Sequence, residues 1–264
     1  MVLAIISRFS GTIYLLVTIF LLSIPAYAKY SGGTGEPNDP YQIATTEDLM
    51  LLGKSPEDYD KHFILTADID LDPNLPGNRI FDRAIIAHDV NDASPRYEGV
   101  PFTGVFDGDG HTILHLTITG ENYLGLFGLL ESGANISNIG LVAVNINGMN
   151  SYVGGLVGYN WNGGVFNCYS TGSVSGNFHI GGLVGVNNMG TITDSYSTGT
   201  VGGYDNVGGL VGYNWEGGIF NCYSIGSISG TYRVGGLVGS NNGSINNSYS
   251  TGRIGGDNYV GGLV

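Results

Sequence analysis

The sequence is poor in charge, and above all in basic residues. Only 12% of its 264 residues are charged, with nine Lys and Arg against 22 Asp and Glu. That is about half the charge of an ordinary soluble domain. The formal net charge is −13. Without a basic face, nucleic acid is excluded as a partner. Cysteine is nearly absent, and the two thiols, Cys168 and Cys222, cannot staple a scaffold. Long apolar runs are absent too, apart from Thr12–Ile24. That run is followed by Ala26-Tyr27-Ala28 and reads as a secretory signal cleaved after Ala28. No membrane span is expected in the mature chain, and its place is outside the cell or on its surface.

Glycine is abundant, at 46 residues, without the strict three-residue period of collagen. A hydrophobic content of 42% is too high for a disordered chain. The glycines are unevenly placed, with 35 of them between Asn122 and Val264. That stretch carries five acidic and two basic residues, against 17 and six between Lys29 and Glu121. Three segments follow: a signal over 1–28, an acidic N-terminal cap with the first strands over 29–100, and a glycine-rich repeat region over 101–264. Within the cap, Thr45 followed by Asp48 is a helix-capping pattern before Leu49-Met50-Leu51-Leu52, with Gly53 as the stop. Phe63–Leu71 alternates apolar and polar residues as a half-buried strand does.

The repeat is the strongest signal. Val153-Gly154-Gly155-Leu156-Val157-Gly158 recurs at Ile180, Val207 and Val234 and begins again at Val260, in steps of 27, 27, 27 and 26 residues. A second block, Asn167-Cys168-Tyr169-Ser170-Thr171-Gly172, recurs with it. Tyr159-Asn160-Trp161 returns only at Tyr213-Asn214-Trp215, which marks a duplicated two-repeat unit. Helical repeats have longer periods, and the glycines would break their helices. The expected fold is all-β: a parallel β-solenoid with about 27 residues per turn, right-handed by the crossover preference, with one short N-terminal capping helix.

Stacking makes each repeat position a column. Ile136, Val165, Ile192, Ile219 and Ile245 are expected to point inward, as are Ile139, Cys168, Ser195, Cys222 and Ser248. The odd spacing between these columns demands a bend. Asn138, Asn167, Asp194, Asn221 and Asn247 lie in that gap, and Asn and Asp tolerate left-handed backbone. Two turns separate the cysteines, a distance of about 9.6 Å at ~4.8 Å per strand. A disulfide needs Cα atoms within ~7 Å, so free buried thiols are expected. Tyr169, Tyr196, Tyr223 and Tyr249 follow the cysteine column and should point outward. They form either a stiffening aromatic row or a face for a glycan or a surface protein.

The Val-Gly-Gly-Leu-Val-Gly and Asn-Cys-Tyr-Ser-Thr-Gly blocks resemble the GLUG repeat of bacterial exported proteins. Asp39-Pro40-Tyr41-Gln42-Ile43, Ala67–Leu71 and Phe102–Gly108 resemble the leader that precedes such repeats. The resemblance implies an exported or surface solenoid, similar to regions beside immunoglobulin A-cleaving metallopeptidases and in adhesin-like proteins. It implies no chemistry for any residue. The His-Glu-x-x-His signature of those peptidases does not occur.

No catalytic or cofactor-binding residue is assigned. A glycosidase needs two carboxyl groups flanking the scissile bond, and the repeat-region acids Glu131, Asp194, Asp205, Glu216 and Asp257 do not share a column. Asp68, Asp70 and Asp72 on one strand side, and Asp107 and Asp109 in an Asp-Gly turn, are weak calcium candidates. Pro73 and Arg79 stand where an EF-hand loop needs Gly and Glu. The reading is a non-enzymatic scaffold, a surface spacer or an adhesion module. The alternatives are a carbohydrate-binding β-helix using the tyrosine face, and a polysaccharide lyase or glycoside hydrolase of β-helix type. Because the sequence stops at Val264 inside a repeat copy, truncation and self-association through an uncapped end are expected.

Overall fold

The computed structural model describes residues 28–91, 94 and 96–264. The stretch read as a signal lies outside them, apart from Ala28. The described residues wind into a parallel β-solenoid of about six turns, about 27 residues each, with one α-helix among them. One turn consists of the strands Val157–Trp161, Gly164–Phe166, Tyr169–Ser175 and Phe178–Gly181. Each pairs in parallel with its counterpart one repeat on, as Val157 does with Val184, Val184 with Val211, and Val211 with Val238.

The acidic stretch belongs to the same stack. Tyr41–Ile43 pairs with His62–Leu65, which pairs with Val105–Asp107, which pairs with Asn135–Ser137. One inward column therefore runs Phe63, Phe106, Ile136, Val165, Ile192, Ile219, all at most 1% exposed, and ends at the partly buried Ile245. The helix Thr46–Gly53 buries Leu49 and Leu52 against this core. Its cap is the one expected: Thr45 accepts from the Asp48 amide, and the Asp48 carboxylate accepts from the Thr45 amide, each at 3.1 Å. The alternating run Phe63–Leu71 is two strands, His62–Leu65 and Ile69–Asp70, in different sheets. The apolar alternation survives the corner, with Phe63, Leu65, Ile69 and Leu71 all buried.

Three columns of left-handed residues bend each turn. Asn138, Asn167, Asp194, Asn221 and Asn247 have φ of 54, 51, 51, 53 and 49°, as the odd column spacing demanded. Asn162, Met189 and Glu216 form a second column at 59, 55 and 52°. Tyr123, Tyr152, His179, Asn206, Arg233 and Tyr259 form a third, at 53, 67, 58, 54, 46 and 54°. The chain passes very close to this third column. A Cβ on Gly212 would lie 2.5 Å from the His179 carbonyl carbon and the Ile180 nitrogen, so only glycine fits there.

A polar ladder runs through the core. Asn160, Asn187 and Asn214 are fully buried. Asn160 Nδ2 donates to Asn187 Oδ1 at 2.9 Å, Asn187 to Asn214 at 2.8 Å, and Asn214 to Asn241 at 2.7 Å. Each Nδ2 also donates to the carbonyl of Gly163, Gly190, Gly217 or Gly243. Asn187→Ala should therefore strand two neighbours and cost roughly 2–4 kcal/mol. Asn221→Gly, at a bend that glycine adopts freely and with one exposed bond lost, should cost under about 1 kcal/mol. Denaturation midpoints of the two variants check the contrast.

Cys168 and Cys222 are both free and buried, with Ser195 on the rung between them. Burial pushes their thiols up, to about 12 and about 11. Both should resist alkylation at neutral pH until the chain is denatured, and non-reducing mass spectrometry should find no Cys168–Cys222 disulfide.

Candidate functional site

Tyr169, Tyr196, Tyr223 and Tyr249 form one outward ladder. Successive ring centroids lie 5.0, 4.7 and 5.3 Å apart, with planes within 3, 4 and 8° of parallel. Parallel backbone register puts each ring directly over the last. The ring of Tyr169 covers the next position, where a Cβ on Gly140 would lie 2.3 Å from it. The ring faces are thus turned toward one another along the stack, and edges and hydroxyls face solvent. Burial raises the phenol pKa of Tyr196 and Tyr223, so these hydroxyls stay protonated.

A second aromatic surface lies where the third left-handed column runs beside the strands Val157–Trp161, Val184–Asn188 and Val211–Phe220. Tyr159, Val186 and Tyr213 are in register on these strands, the tyrosines half-buried and Val186 buried beneath its neighbours at 3% exposed. The valine leaves a gap between two tyrosines. The result is a cavity of about 150 Å³ lined by Tyr152, Tyr159, His179, Val186, Tyr213, Trp215 and Asn188. The rings pack edge to face and face to face: Tyr152 on Tyr159 at 5.4 Å, Tyr152 on His179 at 5.3 Å, and His179 on Tyr213 at 5.7 Å. Asn188 Nδ2 donates to the Tyr159 hydroxyl at 2.8 Å. Asn188 Oδ1 and His179 Nδ1 are buried with no partner among the described residues. Burial lowers the His179 pKa, so the imidazole is neutral at pH 7. The sequence reading missed this cleft. Its signal was the Tyr159–Trp161 triplet returning only every second repeat, with Val186 in between.

Further along the same face, a wider depression of about 540 Å³ is lined by Tyr204, Asp205, Tyr232, Arg233 and Tyr259. Its charges are matched internally by the Arg233–Asp205 ion pair. Asp194, Asp107, Asp72, Asp68 and Asp70 are likewise held by protein partners. Asp194 accepts from Asn221 at 3.0 Å. Asp107 accepts from the Asp109 amide and from Asn138 Nδ2, each at 2.9 Å. Asp109 stands at the turn, with φ of 49°. Asp72 accepts from Asn74. Asp68 accepts from the Thr112 amide at 2.8 Å and lies 3.3 Å from His111 Nδ1, while Asp70 lies 2.8 Å from His115 Nδ1. A calcium ion at these carboxylates would compete with those donors.

The Asp70–His115 pair titrates. Its hydrogen bond holds the Asp70 carboxyl below, and the His115 imidazole above, their ordinary values. The histidine's share of stability is complete below about pH 6.5 and is lost as pH rises through its raised folded value. The aspartate's share is present above about pH 3.9 and is lost as pH falls through its lowered one. Both side chains are over 40% exposed, which keeps the contribution small. NMR titration should place the His115 pKa above its ordinary value, and Asp70→Asn should lower it again.

Residues 149–175, 176–202, 203–229 and 230–255 match the GLUG motif family. Halomucin of Haloquadratum walsbyi is 35% identical over 151 residues, which are 55% of this chain and 2% of that protein. A candidate Gly-rich membrane protein of Evansella cellulosilytica is 35% identical over 144 residues, 50% of this chain and 14% of that one. The chain thus spans a small part of either relative. The crystal structure of a candidate immunoglobulin A1 protease from Bacteroides ovatus has the same fold, with a TM-score of 0.68 at 24% identity over 86% of this chain and 70% of that one. Its likeness concerns the fold alone. Each of the four matched segments between residues 149 and 255 corresponds to one turn of the solenoid.

Proposed function

We propose that this chain is an exported, non-enzymatic repeat scaffold, working at the cell surface as a spacer or an adhesion module. The observation that carries the reading is the unbroken inward column from Phe63 to Ile219. Each turn adds length at a fixed pitch and fixes the next turn's orientation, which is what a rigid extension requires. Relatives that include halomucin and a candidate Gly-rich membrane protein fit a place outside the cell. Among the described residues no helix is long and apolar enough to cross a membrane. The repeat carboxylates Asp194 and Asp205 sit on different columns, each engaged by a neighbouring rung, rather than converging on a shared substrate position.

Two measurements test this. Fractionation of the producing cell should find the chain accessible to added protease, with Lys29 at its N-terminus. Deletion of residues 176–229, two whole turns, should leave a cooperative fold shortened by about 9.6 Å in solution scattering. Retention in the cytosol with the leader intact, or turnover of a polysaccharide by the purified chain, would overturn the proposal.

A further inference from the structure

The cleft over Val186 has the properties of a ligand site rather than of a packing gap. Its walls are the tyrosines one rung above and one rung below, so they start about 9.6 Å apart at the ~4.8 Å strand spacing. A ring held between two aromatic walls needs contacts of about 3.5–4.0 Å on either side. The His179 ring, 5.3 Å from Tyr152 and 5.7 Å from Tyr213, already fills part of that rung, so the space left over holds one ring at most. Its volume, about 150 Å³, equals roughly five waters of liquid. It is smaller than the pockets that hold drug-sized ligands.

The polar groups of the cleft narrow the chemistry. Asn188 is turned by its bond to Tyr159, which leaves Oδ1 buried and without a donor. His179 is wedged between Tyr152 and Tyr213 with Nδ1 buried and unpartnered. Buried polar atoms left unpaired are costly, and each is an unmet request for a hydrogen bond. A hydroxyl meets either request because it both donates and accepts. No formal charge lines the cleft. The nearby Arg233 is engaged by Asp205. The chain as a whole carries a net charge of −13, which disfavours an anionic guest.

The bend column sets the position of the rings. Tyr152 and His179 hold left-handed φ of 67 and 58°, the corner geometry that recurs on every rung of that column. Here it places two ring systems at the mouth of the gap that Val186 leaves.

We infer that the cleft formed by Tyr152, Tyr159, His179, Asn188, Tyr213 and Trp215 binds one neutral saccharide ring. The ring's apolar C–H surfaces lie against the tyrosines, and its hydroxyls meet Asn188 Oδ1 and His179 Nδ1. The stacked ladder of Tyr169, Tyr196, Tyr223 and Tyr249 has its ring faces occupied and is not the site. Sugar binding goes beyond the scaffold reading, since the rungs fold and extend with or without an occupied cleft.

The probes are the methyl glycosides of glucose, galactose, mannose and N-acetylglucosamine, with methyl glucuronide and indole for comparison, offered to the full chain. Saturation-transfer NMR and tryptophan fluorescence should detect at least one neutral glycoside at millimolar concentration, and methyl glucuronide more weakly. Val186→Tyr installs the side chain found on both neighbouring rungs and should abolish the signal while the fold is kept. Trp215→Ala, at an exposed position, should weaken binding as an independent check. Tyr196→Ala should leave it unchanged. Binding of no neutral glycoside, binding that survives both cleft variants, or binding of indole alone would overturn the assignment. None of these results would alter the protease accessibility or the length of the rod, so they leave the scaffold reading standing.

Discussion

In-register parallel stacking is the constraint on which everything else in this molecule depends. Each residue sits about 4.8 Å from its equivalents above and below. A residue type can repeat down a column only if it is compatible with itself. Valine on valine satisfies this at 157, 184, 211 and 238, and leucine at 156, 183, 210 and 237. A charge does not, because like charges face each other on every rung. The low charge of the repeats follows from their geometry before any function is considered.

Asparagine solves the problem for a polar group in a dry interior. Its amide donates upward and accepts from below, so Asn160, Asn187, Asn214 and Asn241 satisfy one another and the adjacent glycine carbonyls. A chain of such bonds is stronger in a low-dielectric core, and costly if one member is lost. The bend column uses the same residue for another reason, its tolerance of left-handed φ. That is why Asp194 can stand among asparagines there: the amide of Asn221 donates to it, and solvent reaches the pair. The repeat region places its Asp205–Arg233 ion pair across neighbouring rungs, where opposite charges replace like ones.

The period, the inward isoleucine column, the asparagine bends and the tyrosine row were legible in the sequence because each repeats in every copy. Two features were not. The buried ladder was hidden because Asn160 was noticed with Tyr159 and Trp161, and nothing local marks one asparagine as dry and another as wet. The cleft was hidden because it is built from two columns that meet only in three dimensions. The third bend column gave little signal: of its members only His179 and Asn206 are residue types that favour left-handed backbone, while Tyr152 and Arg233 look ordinary in the chain. The strand Phe63–Leu71 split for a related reason, since alternation persists around a corner when both halves bury the same face.

Self-compatibility also decides where variation can reside. The inward columns vary only between residues of similar size, Val and Ile on one and Cys and Ser on another, so they carry shape and rigidity but no information about a partner. The two-repeat alternation appears inside as Cys168, Ser195, Cys222 and Ser248, and on two other columns as Tyr159, Val186, Tyr213 and Ser240, and as Trp161, Asn188, Trp215 and Asn242 at matching repeat positions. The inward alternation exchanges residues of nearly equal size, as close packing requires, whereas the other two exchange large rings for small side chains. Beside the bulky residues of the third bend column, that exchange costs the rungs nothing and shapes a surface. Any recognition by this scaffold therefore has to be read from the outward columns, and the gap over Val186 is the place where their alternation becomes a cavity.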